Sequence, residues 1–356
     1  MKITIYGLTI TSSWGNGHAT TFRSLCRALH RRGHHIDFVE KNVEWYASNR
    51  DMPSPTFCTV HLYEDWSIER SSLLHLSADA DVIVIGSFFP DAISLTRQLL
   101  DRGSQRIFFY DIDTPITMAQ LRDRGATDYL DPSLMPEFAA YLSFTGGPTL
   151  RTLESTFGVK RARAFYCSVD PEIYLPVQPK QQFCADLSYL GTYAPDRQAS
   201  LLNFLDEPAR LQPDMQFLIA GPQYPASTTW APNVRRIIHI APPEHPAFYS
   251  SARFTLNLTR AEMIAAGWSP SVRLFEASAC GAAILSDPWP GIGNFFTPGE
   301  EILLPASATD VVRLLRDFGD ADRTKMGAKA RDRILSEHTS DHRARQFEAI
   351  VSECSS

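Results

Sequence analysis

The sequence predicts an α/β protein built from two doubly wound domains. Strand-like and helix-like segments alternate along most of the chain, which is the pattern of a parallel sheet covered by helices. The chain has 356 residues, more than one hydrophobic core usually covers, so two domains are expected. A proline-rich polar stretch at residues 169–182 interrupts the alternation and predicts a linker.

The first predicted domain covers residues 1–172. A β-branched run is followed by an amphipathic helix that stops at Gly33 and by a second strand, which makes a βαβ unit. The pattern then repeats with a second helix that stops at Gly103. The predicted strands and helices are Ile3–Ile10, Thr20–Arg32, Ile36–Glu40, Val82–Ile85, Asp91–Asp101 and Arg106–Asp111.

The second predicted domain covers residues 183–339 and has the same alternation. Its predicted elements are Leu187–Leu190, Gln198–Phe204, Gln216–Ala220, Arg236–Ile240, Phe254–Leu258, Ser271–Ala279 and Ala283–Ser286. Charged helical stretches follow Asp310. The last of them, within residues 340–356, is expected to pack back onto one of the domains.

Composition excludes several classes of protein. Apolar residues make up 44% and charged residues 21% of the chain, and the net charge is −6 without a long basic run, so no nucleic-acid partner is expected. No stretch has the length of a transmembrane segment, and the first residues lack the pattern of a signal peptide. The six cysteines are scattered singly, which predicts reduced thiols in a cytoplasmic protein.

Two doubly wound domains are expected to face a central cleft, where ligands lie beyond the carboxyl ends of the strands. The loop after the first strand contains Gly15, Asn16 and Gly17, which would let a diphosphate approach the backbone at a helix start. The alternative is that the glycines only form the turn. His18 begins the next helix and is a candidate base, or else a helix-capping or solvent-facing histidine.

The loop after strand Arg106–Asp111 contains two carboxylates spaced by one residue. Asp111 and Asp113 invite comparison with paired carboxylates that hold a divalent metal, and that possibility stays open. No metal is expected, because helix dipoles and arginines can neutralise a diphosphate instead. Asp113 is a candidate acceptor-binding carboxylate or general base, and the alternative is a turn-forming aspartate.

Loops of the second domain supply candidate phosphate contacts. Gly191 and Thr192 follow one strand, and Arg197 would reach a phosphate from the start of the next helix. Gly221 follows another strand and could border a nucleobase. The alternative for Arg197 is a solvated surface arginine.

Residues 269–304 are the most informative segment, because a helix start is followed by a strand and a glycine-rich loop. Ser271 is expected to cap the helix, Arg273 to neutralise phosphate and Glu276 to accept hydrogen bonds from ribose hydroxyls. The alternative for the last two is an exposed, weak ion pair. The later loop offers backbone at Gly291, Ile292 and Gly293 for contact with a sugar or base.

Residues 269–304 resemble the corresponding segment of a known family. SPSVRLFEASACGAAILSD followed by PGIGNFFTPGEEILL resembles the nucleotide-binding half of GT-B glycosyltransferases, in particular the CgeB-like spore-maturation family. The segments WGNGHATTFRSLCRAL, YDIDTP, SFTGG, YCSVDP and HTSDHRA extend the resemblance over most of the chain. It implies two Rossmann-like domains, a sugar-nucleotide donor held mainly by the second, and a final helix that returns to the first.

The resemblance also implies residue roles. The glutamate matching Glu276 would bind the donor ribose, the turn matching Gly15 and Gly17 would lie near the diphosphate, and the arginine matching Arg197 would contact phosphate. Retaining family 4 glycosyltransferases, which the chain resembles more distantly, have a second glutamate eight positions earlier. Trp268 occupies that position here and is a candidate for stacking on sugar or base, or for simple packing.

The resulting hypothesis is a cytoplasmic glycosyltransferase that moves a hexose or related sugar from a nucleoside diphosphate sugar, with a UDP-sugar expected, to an unidentified hydroxyl acceptor. Residues 1–172 would bind the acceptor and residues 183–339 the donor, without a metal. A hydrolysing nucleotide-sugar epimerase and a non-catalytic interaction protein of the same fold remain alternatives. The stereochemical outcome, the acceptor and the oligomeric state stay open.

Overall fold

A computed structural model describes residues 1–104 and 106–355 of the chain. It contains two compact units, each with its own parallel sheet. The first comprises Met1–Ser168 and the C-terminal helix Ser340–Ser355, and the second comprises Val169–Thr339. In the part of the chain that is described, no helix is long and apolar enough to cross a membrane.

The sheet of the first unit has seven parallel strands in the order β3-β2-β1-β4-β5-β6-β7. Its strands are β1 (Lys2–Tyr6), β2 (His35–Lys41), β3 (Thr59–Tyr63), β4 (Val82–Gly86), β5 (Ile107–Asp111), β6 (Ala140–Ser143) and β7 (Ala162–Ala164). Its helices are α1 (His18–Arg31), α2 (Glu44–Ala47), α3 (Trp66–Leu76), α4 (Ala92–Asp101), α5 (Thr114–Arg124) and α6 (Pro148–Phe157), with a 3₁₀ turn at Pro132–Glu137.

Strand β1 ends at Tyr6, four residues before the predicted end at Ile10, because the backbone beyond it forms hydrogen bonds with a buried carboxylate. Glu40 accepts hydrogen bonds from the N–H groups of Ile10 and Thr11, at 2.7 and 3.0 Å. The hydroxyl groups of Thr9 and Thr11 also donate to Glu40. These bonds satisfy the backbone that would otherwise need a neighbouring strand, and they turn the chain toward α1.

The C-terminal helix packs against α1 of the first unit. Its Phe347 contacts the rings of Phe108 and Phe165, which places an apolar anchor on the sheet. At the rim, Glu348 accepts hydrogen bonds from Arg32, at 2.7 and 2.8 Å, and lies 2.8 Å from His34 Nε2. The helix is therefore held by both apolar contact and a shared carboxylate.

The sheet of the second unit has five parallel strands in the order β10-β9-β8-β11-β12. Its strands are β8 (Leu187–Leu190), β9 (Phe217–Ala220), β10 (Val234–Ile237), β11 (Phe254–Asn257) and β12 (Ala283–Ser286). Its helices are α7 (Pro195–Leu201), α8 (Glu207–Leu211), α9 (His245–Ser251), α10 (Ala261–Ala266), α11 (Val272–Ala279), α12 (Ala308–Asp317) and α13 (Asp320–Glu337).

Three features of the second unit differ from the sequence prediction. Helix α7 begins at Pro195, before the predicted start, and a π turn at Leu202–Asp206 joins it to α8. Strand β10 lies earlier than predicted. The stretch predicted as a linker packs onto this unit, because Val169 pairs with Thr339 and Tyr174 is buried.

Candidate functional site

The two residues predicted from the sequence as catalytic meet in the first unit. His18 begins α1 after β1, Asp113 follows β5, and His18 Nε2 lies 2.5 Å from Asp113 Oδ2. The His18 side chain is 8% exposed, so it does not face solvent, and the Asp113 side chain points to His18 without capping α5. A carboxylate at this distance orients the imidazole ring.

The other ring nitrogen of His18 has no hydrogen-bond partner among the residues that the structure describes. Nδ1 is shielded from solvent, and a buried polar atom without a partner costs free energy. Phe88, which the sequence analysis did not single out, packs edge-on to His18 with ring centroids 5.9 Å apart and lies 4.5 Å from Tyr129. Its φ of 61° is uncommon for a bulky residue, and such strain concentrates at functional sites.

Asp111 and Asp113 point to different partners. Asp111 is fully buried and accepts hydrogen bonds from Tyr141, at 2.5 Å, and Thr117, at 2.9 Å. Burial raises the pKa of its carboxyl to about 6, against the lowering effect of these bonds. Within the described residues no group of three or more His, Cys, Asp and Glu side chains is placed to hold a metal ion.

The glycine loop before His18 is held largely by its own contacts. Gly15 has a φ of 69°, and the Asn16 amide donates to the carbonyls of Ser12 and Trp14 while accepting from the Ala19 N–H. Gly17 has open space where a Cβ would lie. Gly15, Asn16 and Gly17 were all predicted to contact the donor, and Gly17 leaves the most space for a ligand. The Asn16 side chain already accepts a hydrogen bond at the start of α1.

Two predicted glycines lie together at the carboxyl ends of β8 and β9 in the second unit. The Gly191 N–H donates to the Ala220 carbonyl at 2.9 Å. Gly221 has a φ of 142°, and a Cβ there would overlap the Gly191 carbonyl. Only glycine allows this approach of the two loops. The Thr192 carbonyl is not free, since it accepts from Arg197 Nη2 at 2.7 Å.

Three arginines surround these loops. Arg273 donates through Nε to the Leu190 carbonyl at 2.6 Å and through Nη1 to Asn257 at 2.9 Å, with its guanidinium 4.9 Å from the Tyr189 ring centroid. Arg236, which the sequence analysis placed only in a strand, donates through Nη2 to the Gly221 carbonyl at 3.1 Å. Burial raises the pKa of Tyr224, whereas the charges of Arg197, Arg236 and Arg273 lower it, and the Arg236 guanidinium carbon lies 3.9 Å from the centroid of this ring.

The three arginines have carbonyl and amide oxygens as partners. Among the described residues, none of Arg197, Arg236 and Arg273 forms an ion pair with a carboxylate. Shielded N–H groups at Arg197 Nε and at Arg236 Nε and Nη1 also lack a partner. Guanidinium groups that form no ion pair and lie beside a glycine backbone are an anion-binding arrangement, although the Arg273 charge also acts on Glu276 and Asp287.

Glu276 is buried rather than exposed, so the predicted alternative of a weak surface ion pair is wrong. It lies in α11 with 5% exposure and accepts a hydrogen bond from Tyr249 at 3.4 Å. Burial raises the pKa of its carboxyl to about 7, opposed by hydrogen bonding from Tyr174, the nearby Arg273 charge and Tyr249. Ser271 lies at the N-cap position of α11 but makes no side-chain capping bond, which corrects that prediction.

Trp268 packs against the glycine-rich loop. Its backbone has a φ of 43°, its N–H donates to the Pro290 carbonyl at 2.7 Å and its indole N–H donates to Asn294 at 3.0 Å. A Cβ at Gly291 would lie 2.6 Å from the Trp268 ring, so that glycine is needed for the contact. Ile292 is buried, whereas Gly293 is exposed and has open space around it.

Comparisons with known proteins bear on the fold and on the second unit. Residues 197–349 match the family model described as glycosyl transferase-like. No curated protein sequence matches the chain. The solved structures that it resembles include sucrose-phosphate synthase from Thermosynechococcus elongatus, with a TM-score of 0.70, 15% identity and coverage of 99% of this chain and 98% of that one.

Two further structures cover both chains almost completely. HepE of Anabaena in complex with UDP-glucose has a TM-score of 0.72 and 12% identity, covering 99% of this chain and 100% of that one. An alpha-glucosyltransferase in complex with UDP has a TM-score of 0.74 and 13% identity, with the same coverage. The chain therefore has the GT-B fold, and the glycosyl transferase-like match over residues 197–349 supports its assignment as a glycosyltransferase.

Proposed function

We propose that the protein transfers a sugar from a nucleoside diphosphate sugar to a hydroxyl group of an acceptor. The observation that carries the proposal is a group of three arginines beside Gly191 and Gly221, none of which forms an ion pair with a carboxylate in the described part of the chain. A diphosphate would supply the missing negative charge. All three arginines lie within the region that matches the glycosyl transferase-like model.

The second unit would hold the donor. The backbones of Gly191, Thr192 and Gly221 allow close approach, and Arg197 and Arg273 would neutralise the diphosphate together with the start of α11 at Ser271. Glu276 would accept hydrogen bonds from the ribose hydroxyls in place of those from tyrosines. Trp268 and the segment from Gly291 to Gly293 would border the sugar or base.

A uridine nucleotide is the donor that we propose. The HepE structure contains UDP-glucose and the alpha-glucosyltransferase structure contains UDP, which supports a UDP-sugar for a chain of the same fold. No role for a metal is needed, because arginines and the helix start provide the positive charge.

The first unit would bind and activate the acceptor. The acceptor hydroxyl would give its proton to His18, whose ring Asp113 orients. The acceptor oxygen would then form a bond to the anomeric carbon of the sugar as the bond from that carbon to the diphosphate oxygen breaks. A direct displacement of this kind inverts the anomeric configuration, and arginines stabilise the departing diphosphate.

The test combines binding with product analysis. Calorimetry and thermal shift with UDP-, GDP-, dTDP- and CDP-sugars, with and without Mg²⁺, should identify a uridine nucleotide as the selective stabiliser. UDP-glucose should then release UDP slowly in water, and NMR should show β-glucose as the first sugar formed. Absence of binding by every nucleotide sugar contradicts the proposal, and an altered sugar beside free UDP identifies an epimerase.

A further inference from the structure

Arg236 lies beneath an aromatic cover formed by Tyr224. The guanidinium carbon is 3.9 Å from the centroid of the Tyr224 ring and 5.4 Å from that of Trp230. Tyr224 in turn packs edge-on against Tyr193 and Trp230, at 5.5 and 5.7 Å between centroids. An arginine on an aromatic face is stabilised, but its N–H groups still need acceptors.

Those acceptors are lacking for most of the Arg236 side chain. Nη2 donates to the Gly221 carbonyl, whereas Nε and Nη1 are shielded from solvent and have no partner within residues 1–104 and 106–355. Burial lowers the pKa of Arg236, as expected for a charge that has lost water without gaining a counter-ion. Such unsatisfied charged donors cost more free energy than neutral ones, so an anion that reaches them would bind favourably.

The cover over Arg236 is attached to the glycine loops by one hydrogen bond of its own. The Tyr224 hydroxyl donates to the Gly191 carbonyl at 3.2 Å. The segment carrying Tyr224 leaves β9 through Gly221, with a φ of 142°, and Gln223, with a φ of 68°. Its far end is fixed, because the Ala231 N–H donates to the buried Asp206 carboxylate at 2.7 Å. Movement of Tyr224 therefore requires the loss of one neutral hydrogen bond and its ring contacts.

We propose that Arg236 is a third diphosphate-binding residue and that Tyr224 covers it until the nucleotide binds. The nucleotide displaces the Tyr224 ring from Gly191, and a phosphate oxygen then accepts hydrogen bonds from the Arg236 N–H groups. This inference rests on the proposed donor site in the second unit and extends it. The sequence alone gives no sign of it, since Arg236 reads as one residue of a short strand.

The test uses paired variants of the full chain and three probes. Arg236→Gln should weaken UDP and pyrophosphate binding by about 10- to 100-fold, the range for losing a charge-assisted hydrogen bond. It should leave uridine binding unchanged. Arg235→Gln is the matched control. Arg235 lies next to Arg236 in β10, but it is exposed and donates to the backbone carbonyls of Gln182 and Cys184.

Tyr224→Phe tests the cover. It removes the bond to the Gly191 carbonyl and keeps the ring, so UDP should bind about 2- to 10-fold more tightly. In the wild type, UDP should also change the tryptophan fluorescence as the Tyr224 ring leaves Trp230, and Trp230→Phe should reduce that change to the part that comes from other tryptophans. Arg236→Lys keeps the positive charge but loses the planar guanidinium group, so it should bind UDP with intermediate affinity. This variant replaces Arg236→Gln in the test if the glutamine variant does not fold.

The outcomes separate this inference from the proposed function. If UDP does not bind the wild type, the proposed donor site is wrong. If UDP binds and the Arg236 and Arg235 variants bind it equally well, the inference is wrong and the donor site stands. An equal loss of uridine binding in Arg236→Gln also contradicts it, because that result assigns Arg236 to the base. Unchanged or weaker UDP binding by Tyr224→Phe contradicts the cover.

Discussion

Asp113 Oδ2 lies 2.5 Å from His18 Nε2, although the two residues are 95 positions apart in the chain. The pair exists because β1 and β5 end at the same edge of a parallel sheet. His18 is the first residue of the helix after β1, and Asp113 directly precedes the helix after β5. In the proposed reaction, Asp113 orients the His18 ring.

His18→Ala and Asp113→Asn should therefore lower the turnover of UDP-glucose by about 10²- to 10⁴-fold, the usual contribution of general base catalysis. UDP release with water or a panel of hydroxyl compounds measures turnover. Binding of UDP by calorimetry is the control, and it should stay within about twofold of wild type if the pair acts on the acceptor. Undiminished turnover in folded Asp113→Asn removes Asp113 from the mechanism.

Glu276 should make stability depend on pH. Its pKa is raised from 4.5 to about 7 in the folded protein, so the native state binds more protons than the unfolded state between these values. The free energy of unfolding of the second unit should fall as pH rises through this range and level off above it. In Glu276→Gln the decrease in the free energy of unfolding over this pH range should be smaller by about 1–3 kcal/mol. Urea unfolding at a series of pH values measures it.

The same carboxyl should make nucleotide binding depend on pH. If the ionised form of Glu276 accepts hydrogen bonds from ribose, UDP should bind more tightly above about pH 7 than below it, and Glu276→Gln should bind weakly at both. Calorimetry with inorganic pyrophosphate is the control, since that ligand has no ribose. A parallel pH dependence for pyrophosphate would assign the effect to another group.

Gly221 should be intolerant of a side chain. Its φ of 142° is unfavourable for other residues and a Cβ would overlap the Gly191 carbonyl, so Gly221→Ala should destabilise the second unit by about 2 kcal/mol or more. Gly293→Ala is a matched control, because a Cβ there has open space, and it should change stability by no more than about 0.5 kcal/mol. Urea unfolding of both variants measures the difference, and equal stabilities would contradict the described approach of the loops.

The carboxylate that joins the C-terminal helix to α1 should stabilise the first unit above acidic pH. Hydrogen bonds from Arg32, with His34 also contributing, lower the pKa of Glu348 from 4.5 to about 2. Its contribution is present above the unfolded pKa and is lost as pH falls toward 2. Glu348→Gln should therefore lower the free energy of unfolding by about 1 kcal/mol near neutral pH, with a smaller loss near pH 2.

Glu353→Gln is the control for that prediction. Glu353 lies on the same helix and pairs with Arg163, but both side chains are more exposed, so its loss should have a smaller effect. Chemical unfolding at neutral and acidic pH compares the two variants. Equal effects at both pH values would show that the Glu348 charge does not hold the helix.

Local sequence pattern predicted some elements to the residue. Strands β8 and β12 are short apolar runs bounded by turn residues, and their predicted and observed limits agree. Strand β3 was missed because its residues are mostly half-buried or exposed at the edge of the sheet, and β7 because it has only three residues. Strand β6 was also missed although its four residues are buried, so burial alone does not give a strand a clear pattern in the sequence.

The candidate site was less predictable because it depends on contacts between distant segments. Position after a strand drew attention to His18 and Asp113, but nothing local reveals that they pair. Arg236 was missed because its significance comes from Tyr224, twelve residues earlier, and from the absence of acceptors around it. The predicted cap at Ser271 failed because a suitable residue type does not ensure the side-chain geometry.

The placement of the C-terminal helix in the first unit has a consequence for biosynthesis. Residues 169–339 form one continuous unit that can fold as soon as it leaves the ribosome, whereas the first unit must wait for a segment made after them. Until then α1 and the rings of Phe108 and Phe165 lack their apolar partner Phe347. The nascent first unit therefore exposes an apolar surface, which Phe347 covers in the folded protein, for the time needed to translate an entire second domain.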